Sequence, residues 1–317
     1  MPKTKPRRKR TAPSPRQAAP PAPLARDPRR RLYGRIAWIA IVALAAAGAF
    51  WVAKKQAEGP NDAVAPPPVG LPHTPDYHSL LVATTDPDRL LLGTHVGVYE
   101  SADAGRTWTF AGLEGDDAMN LVRASDGTLW VAGHNVLEKS ADGGATWADA
   151  DPDGLPGKDV HGFALKSDDD RTIYAAIAGE GLYRSEDDGA SFEEVSSGVG
   201  PAVYGLAVTA SGRVLAAQQG GVSASEDGGT TWKVLLEQVA VGLAVNPEDE
   251  DVILATTTTG VFRSTDGGES WDEVLTIPDG AWPVTFAPSE PDRAYVVGFD
   301  RQLYRSDDAG ATWRVVS

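Results

Sequence analysis

SADAGRTW (101–108) returns five more times along the chain, as SADGGATW (140–147), SEDDGASF (185–192), SEDGGTTW (225–232), STDGGESW (264–271) and SDDAGATW (306–313). The starts are 39, 45, 40, 39 and 42 residues apart, and no segment of helical period lies between them. Each unit reads as four short strands. In the third they are HGFALKS, then TIYAAIA after a DDD turn, LYRS after a GEG break, and SFEEV around the octapeptide. Short strands with polar turns at this spacing signal an all-β closed repeat, and forty-odd residues per four-stranded unit is the period of a propeller blade. Residues 78–317 are therefore expected to form a six-bladed β-propeller of four-stranded blades. Each blade supplies its own four strands, so the ring should close by packing between blades.

The octapeptide has a mechanical reading as the turn between the third and fourth strands. Asp103, Asp142, Asp187, Asp227, Asp266 and Asp308 can fold back onto backbone N–H groups of the turn. The glycine two residues later (Gly105, Gly144, Gly189, Gly229, Gly268, Gly310) can adopt positive φ without a steric penalty. The closing aromatic (Trp108, Trp147, Phe192, Trp232, Trp271, Trp313) is expected to wedge between blades, where rings bury large apolar area. A calcium reading of these acidic turns lacks the ligand-rich loop that the ion requires.

The pattern S-x-D-x-G-x-[TS]-[WF] resembles the bacterial neuraminidase repeat, or Asp box, of sialidases, sortilin-type receptors and the photosystem II assembly factor. The resemblance covers about 240 of 317 residues. It implies the fold, and it places the boxes on the face away from any ligand. Activity is a separate matter, because function lives in sites grafted onto a fold. The sialidase resemblance implies three arginines that grip a carboxylate, the first in an R-I-P motif, with an Asp acid/base and a Tyr–Glu nucleophile. Paired guanidinium forks suit a carboxylate, but this chain has no such motif. Arg89, Arg171, Arg213 and Arg293 lie in turns on the box face, and Arg184, Arg263 and Arg305 immediately precede boxes. Only Arg301 and Arg123 are placed where they can approach the opposite face. A different glycoside hydrolase needs two carboxylates at a suitable separation, and Glu180, Asp300, Asp159 and Asp279 sit on loops of that face. Glu180 and Asp300 are the catalytic candidates.

Alignment on the box serine defines two further positions opposite the boxes. The first, at the start of the innermost strand, holds His78, Asn120, His161, Tyr204, Val241 and Pro283. The second, six residues before each box, holds His95, His134, Gly179, Gln219, Thr258 and Asp300. Four of the five histidines fall on these positions, and His73 lies just upstream. A ligand-binding rim is therefore expected at His78, His95, His134, His161, Tyr204, Gln219, Asp300 and Arg301. Neutral imidazole suits Zn, Cu, Ni or Fe, so the four histidines are candidate ligands for a divalent transition metal, and the sequence requires no cofactor.

The rest of the sequence concerns location. The chain carries −15 overall, but residues 1–35 carry +11, which leaves −26 for the remainder. Residues 36–53, IAWIAIVALAAAGAFWVA, contain no charge and can span the hydrocarbon core as an anchor helix. The larger Lys/Arg excess precedes this run, which puts the N-terminus in the cytoplasm and the propeller outside. A cleaved signal peptide with a site around Ala45–Ala47 is the competing reading. A lipoprotein anchor needs a cysteine, and there is none. Residues 1–35 then form a disordered basic cytoplasmic tail, and 54–77, with six prolines between 54 and 75, a semi-rigid spacer. Nucleic acid is not expected as a partner. The expectation is a single-pass protein of a bacterial cytoplasmic membrane, whose propeller binds a protein or glycan without catalysis. The alternatives are a glycoside hydrolase and a metal-handling protein.

Overall fold

The computed structural model describes residues 69–196 and 203–316. The tail, the anchor segment and most of the spacer lie outside the described residues, among which no helix is long and apolar enough to cross a membrane. Everything regular in the described residues is strand, in six antiparallel meanders. The first is β1 (Ser79–Val82), β2 (Leu90–Thr94), β3 (Gly97–Ser101) and β4 (Thr109–Gly112). The second is β5 (Asn120–Arg123), β6 (Leu129–Gly133), β7 (Val136–Ser140) and β8 (Ala148–Asp149). The third is β9 (Val160–Lys166), β10 (Asp169–Ile177), β11 (Gly181–Ser185) and β12 (Glu193–Ser196). The fourth is β13 (Val203–Val208), β14 (Val214–Gln218), β15 (Gly221–Ser225) and β16 (Lys233–Leu236). The fifth is β17 (Ala240–Val245), β18 (Ile253–Thr257), β19 (Gly260–Ser264) and β20 (Asp272–Thr276). The sixth is β21 (Ala281–Ala287), β22 (Glu290–Gly298), β23 (Leu303–Ser306) and β24 (Arg314–Val315).

The architecture is all-β and propeller-like. The expectation of six separate blades needs one correction: four meanders stand as separate four-stranded sheets, while the third and fourth merge into one sheet of eight. The merger is a parallel pairing of β9 with β13 at Lys166 and Val208, reinforced by Ser167 N–H donating to the Val208 carbonyl at 3.2 Å. β9 has seven residues where β1 and β5 have four. β21 is also seven residues long and stays within its own sheet, so length alone does not cause the merger.

Apolar side chains on the middle strands are almost completely buried, and all five residues of each of β2, β6 and β18 are buried. A strand buried on both faces reads as a continuous apolar run, as in LLLGT and LWVAG. The buried residues form six clusters, each between successive meanders. One joins Leu80, Leu90, Leu92 and Trp108 to Tyr295, Val297 and Leu303, so the last meander packs on the first. Across the same seam Arg293 Nη1 donates to Asp88 Oδ1 at 2.8 Å and the Tyr295 hydroxyl to the Pro87 carbonyl at 3.0 Å. Closure thus comes from packing between complete sheets. The end of the expected spacer belongs to this seam: Leu71 and Tyr77 are buried in it, and Val69 bridges to Thr107.

All six boxes share one set of bonds. The serine hydroxyl bonds the aspartate Oδ1 at 2.8 Å and accepts the glycine N–H at 2.8–3.0 Å. The Thr or Ser four residues after the aspartate donates its N–H to Oδ1 at 2.8–2.9 Å and its hydroxyl to Oδ2. Both carboxylate oxygens are thereby used within the turn. The glycines all have positive φ, between 75° and 98°. Each closing aromatic packs into the cluster between its own meander and the preceding one, Trp108 with the last.

Candidate functional site

Because β1, β5 and β9 run from the open end of the ring toward the boxes, their first residues and the β2–β3 and β6–β7 turns meet at the opposite mouth. Four histidines converge there. His78 Nε2 faces His95 Nδ1 at 2.7 Å, the His95 and His134 rings lie 6.3 Å apart, and the His134 and His161 rings 4.9 Å apart edge-to-face. His78 and His161 are buried, whereas His95 and His134 are about a third exposed, at 38% and 33% of their side chains.

Three aspartates bind the four rings into one network. Asp76 Oδ1 lies 3.2 Å from His78 Nε2, and its Oδ2 3.1 Å from His95 Nε2. Asp117 Oδ1 contacts His95 Nδ1 at 2.8 Å and His78 Nε2 at 3.5 Å, while its Oδ2 accepts from His134 Nδ1. Asp159 Oδ1 lies 3.2 Å from His161 Nε2 and 3.7 Å from His134 Nε2. Burial alone would raise the Asp117 carboxyl, but the bonds from His134 and His95 and the charge of His78 hold it well below the usual carboxylate range. Burial acts likewise on Asp159, yet His161 and His134 bring it below its ordinary value. His95 moves up: burial opposes charge there, but the bond to Asp117 and the charges of Asp76 and Asp117 outweigh it. His134 moves up chiefly through its bond to Asp117, against burial.

The other half of the mouth is aromatic. Trp282 lies edge-on to Tyr204 at 6.1 Å, to Phe299 at 6.0 Å and to His78 at 5.2 Å. His78, Tyr204 and Trp282, with Asn120 and Phe163, line a cavity along the axis between the innermost strands. The sequence register names Pro283 where Trp282 does the work. A shift in pairing between Ala281 and Val284 displaces the strand start by a residue, which a count from the box cannot foresee.

The remaining sequence candidates divide. Asp300 is committed to its own turn: Oδ1 accepts the Gln302 N–H at 3.1 Å and Oδ2 the Tyr304 hydroxyl. Burial and then that carboxylate push the Tyr304 phenol up to about 12. Arg301, at φ 64°, donates to the Thr74 carbonyl at 3.1 Å and lies over the Tyr77 ring, so it holds the incoming segment. Glu180 and Gln219 stand in exposed turns, and His73 is exposed. Arg123 is a correction. It pairs with Leu129 at the box end of β5, and its guanidinium is perturbed by burial and by nearby Arg89, so it does not approach the mouth. Asp76 and Asp117 were missed. The available signal was an aspartate two or three residues before the first rim position in each of the first three units: Asp76, Asp117 and Asp159.

Comparison with known proteins points the same way for the fold. A xyloglucanase of Hypocrea jecorina is 26% identical over 236 residues, which are 70% of this chain but 27% of that enzyme. The chain thus spans about a quarter of the curated relative's length. The structure of the GH74 xyloglucanase from Xanthomonas campestris superposes with a TM-score of 0.56 at 20% identity, over 81% of this chain and 46% of that one. YCF48 from Cyanidioschyzon merolae superposes with a TM-score of 0.51 at 19% identity, over 76% of this chain and 84% of that one. The sequence profile of the photosynthesis system II assembly factor YCF48 matches residues 74–315, from the segment that enters the first seam to the last strand, and the chain belongs to that family.

Proposed function

We propose that the protein is a non-catalytic assembly or binding module: a six-bladed propeller tethered through residues 36–53 outside a bacterial cytoplasmic membrane, with its N-terminus inside. The observation that carries this reading is the extent of the family match, which takes in the whole ring from 74 to 315 in a family of assembly factors. The mouth supplies the surface. Tyr204, Trp282 and Phe299 form a row of edge-on rings, with Phe299 39% exposed. Amphipathic rings are enriched where proteins meet protein partners, and the same faces can stack on sugars. Capture from membranes with the full chain as bait, against a Trp282→Ala variant, tests the reading. Loss of the captured partner in the variant is expected, and equal capture by both would overturn the rim assignment.

The hydrolase alternative rests on the xyloglucanase similarity, 26% identity over 70% of this chain. Against it, both oxygens of Asp300 are engaged by Gln302 and Tyr304 within its own turn. Xyloglucan and a panel of chromogenic glycosides should be left intact. Turnover abolished by Glu180→Gln or Asp300→Asn would replace the assembly reading with the enzymatic one.

A further inference from the structure

We propose that the histidine half of the mouth is a two-ion transition-metal site, with Asp76, His78, His95 and Asp117 holding one ion and His134, Asp159 and His161 the other. The first set is built around a shortage of protons. His78 Nε2 and His95 Nδ1 face each other at 2.7 Å, and Asp117 Oδ1 meets the same His95 nitrogen at 2.8 Å. One N–H from His95 can serve only one of these neighbours well, and a second N–H on His78 would point straight at it. A cation at the centre satisfies all the lone pairs at once. Asp76 Oδ1 completes the set at 3.2 Å from His78 Nε2; it is buried and makes no hydrogen bond among the described residues. Metal–nitrogen and metal–oxygen bonds of about 2.0–2.2 Å place neighbouring donors of a tetrahedral site roughly 3.3 Å apart. The spacings here, 2.7–3.5 Å, bracket that value.

In the second set, Asp117 plays a different part. Its Oδ2 accepts from His134 Nδ1, which fixes the tautomer and leaves Nε2 as a lone pair turned toward Asp159 and His161. A carboxylate behind a ligating imidazole orients it and raises its basicity. His134, Asp159 and His161 each offer one donor atom within 4.8 Å of the others, as do Asp76, His78 and His95. Two imidazoles and carboxylate in each set match the preferences of Zn, Ni, Cu and Fe and not those of Ca or Mg. The two sets share Asp117, so filling one biases the geometry of the other.

Equilibrium dialysis of the full chain, stripped with chelator and then exposed to micromolar Zn²⁺, counts the ions, and visible absorption with Co²⁺ reports their coordination. Two ions per chain are expected. His95→Gln should lose one and His134→Gln the other, each with affinity reduced at least the ~10–100-fold that loss of a supporting residue brings. Asp117→Asn should weaken both. His73→Ala, three residues from Asp76 and exposed, should leave both in place. The thermal midpoint of each metal-free variant, matched to the metal-free parent, shows that it has folded. Asp76→Asn, at the edge of the cluster, serves as a second first-set variant if His95→Gln does not fold. No bound metal at micromolar concentration, or equal binding by the parent and both glutamine variants, overturns the proposal. A single ion per chain in the parent, lost in both glutamine variants, overturns the two-ion assignment.

Discussion

At the box end of the ring, Ser101 and its five equivalents each bond an aspartate two residues on at 2.8 Å. Six residues before those serines, at the other end, stand His95, His134, Gly179, Gln219, Thr258 and Asp300. The same strands join the two ends, so the difference is not one of scaffold. The box end repeats because every turn must satisfy the same backbone donors and seat the same ring between sheets. The mouth need not repeat, because the innermost strands are fixed by ladders and clusters elsewhere. Its side chains are therefore available for chemistry, and the first three meanders bring histidines and aspartates together in one network. Substitutions at the two ends should differ in kind: box-end changes lower stability, mouth changes alter binding.

The severest break is truncation. Removing residues 311–317 takes away β24 and Trp313, which covers the cluster between the fifth and sixth meanders. Deleting one large buried ring costs roughly 3–5 kcal/mol, and here a strand goes with it. A fall in thermal midpoint of more than about 10 °C is expected for a ring of this size. An unchanged midpoint would contradict packing closure. A single side chain comes next. Trp108 is 4% exposed and sits where the first meander meets the last, its Nε1 donating to the Gly105 carbonyl at 3.0 Å. Trp108→Ala should cost about 3–5 kcal/mol by chemical denaturation. His134→Gln, a third exposed at the mouth, weakens its bond to Asp117 and should cost about 1–2 kcal/mol without metal, less than Trp108→Ala. Equal losses for the two would erase the contrast.

Acid should loosen the box end. Bonds from the hydroxyl and N–H four residues on hold Asp142, Asp187, Asp227 and Asp266 at about 2, below the ordinary 3.8. A carboxylate depressed in the folded state binds its proton more readily once unfolded. Its contribution is therefore complete above pH 3.8 and is lost as the pH falls through about 2. Denaturation midpoints should hold from pH 6 to about 4 and then drop, and Asp227→Asn should make that drop shallower. A flat profile down to pH 2 would show that these bonds do not support the fold.

How far the sequence disclosed all this follows the same division. The boxes were legible because Ser, Asp, Gly and aromatic each answer a local demand at a fixed offset. The fusion of the third and fourth meanders was not, since it depends on how closely β9 approaches β13 in space. At the mouth, the histidines were found by counting from the boxes. Asp76 and Asp117 precede the first rim positions, His78 and Asn120, by two and three residues, so a rigid register passes over them. Trp282 was lost to an irregular pairing, and Arg123 was assigned the wrong end because strand direction was not followed residue by residue.

The smallest test asks how uniform the box end is. The residue before each box glycine has positive φ in every unit, yet it is Gly143, Gly228 and Gly267 in three and Ala104, Asp188 and Ala309 in the others. A side chain in this conformation is strained by about 1–2 kcal/mol, while glycine costs more entropy on folding by up to about 1. The two nearly offset, which is why the repeat tolerates both. At Gly143, φ is 76° and a Cβ would meet nothing within 4 Å, so only backbone strain and entropy are in play. Gly143→Ala should therefore destabilise by less than about 1 kcal/mol, a shift of no more than a few degrees in midpoint. Gly189→Ala, at the box glycine of the third unit, would set its Cβ 2.7 Å from the Trp130 ring and 3.2 Å from Ile173 and should cost more. If Gly143→Ala proves as costly as Trp108→Ala, the box turn is governing the ring by backbone shape, and the aromatic wedge is the lesser part.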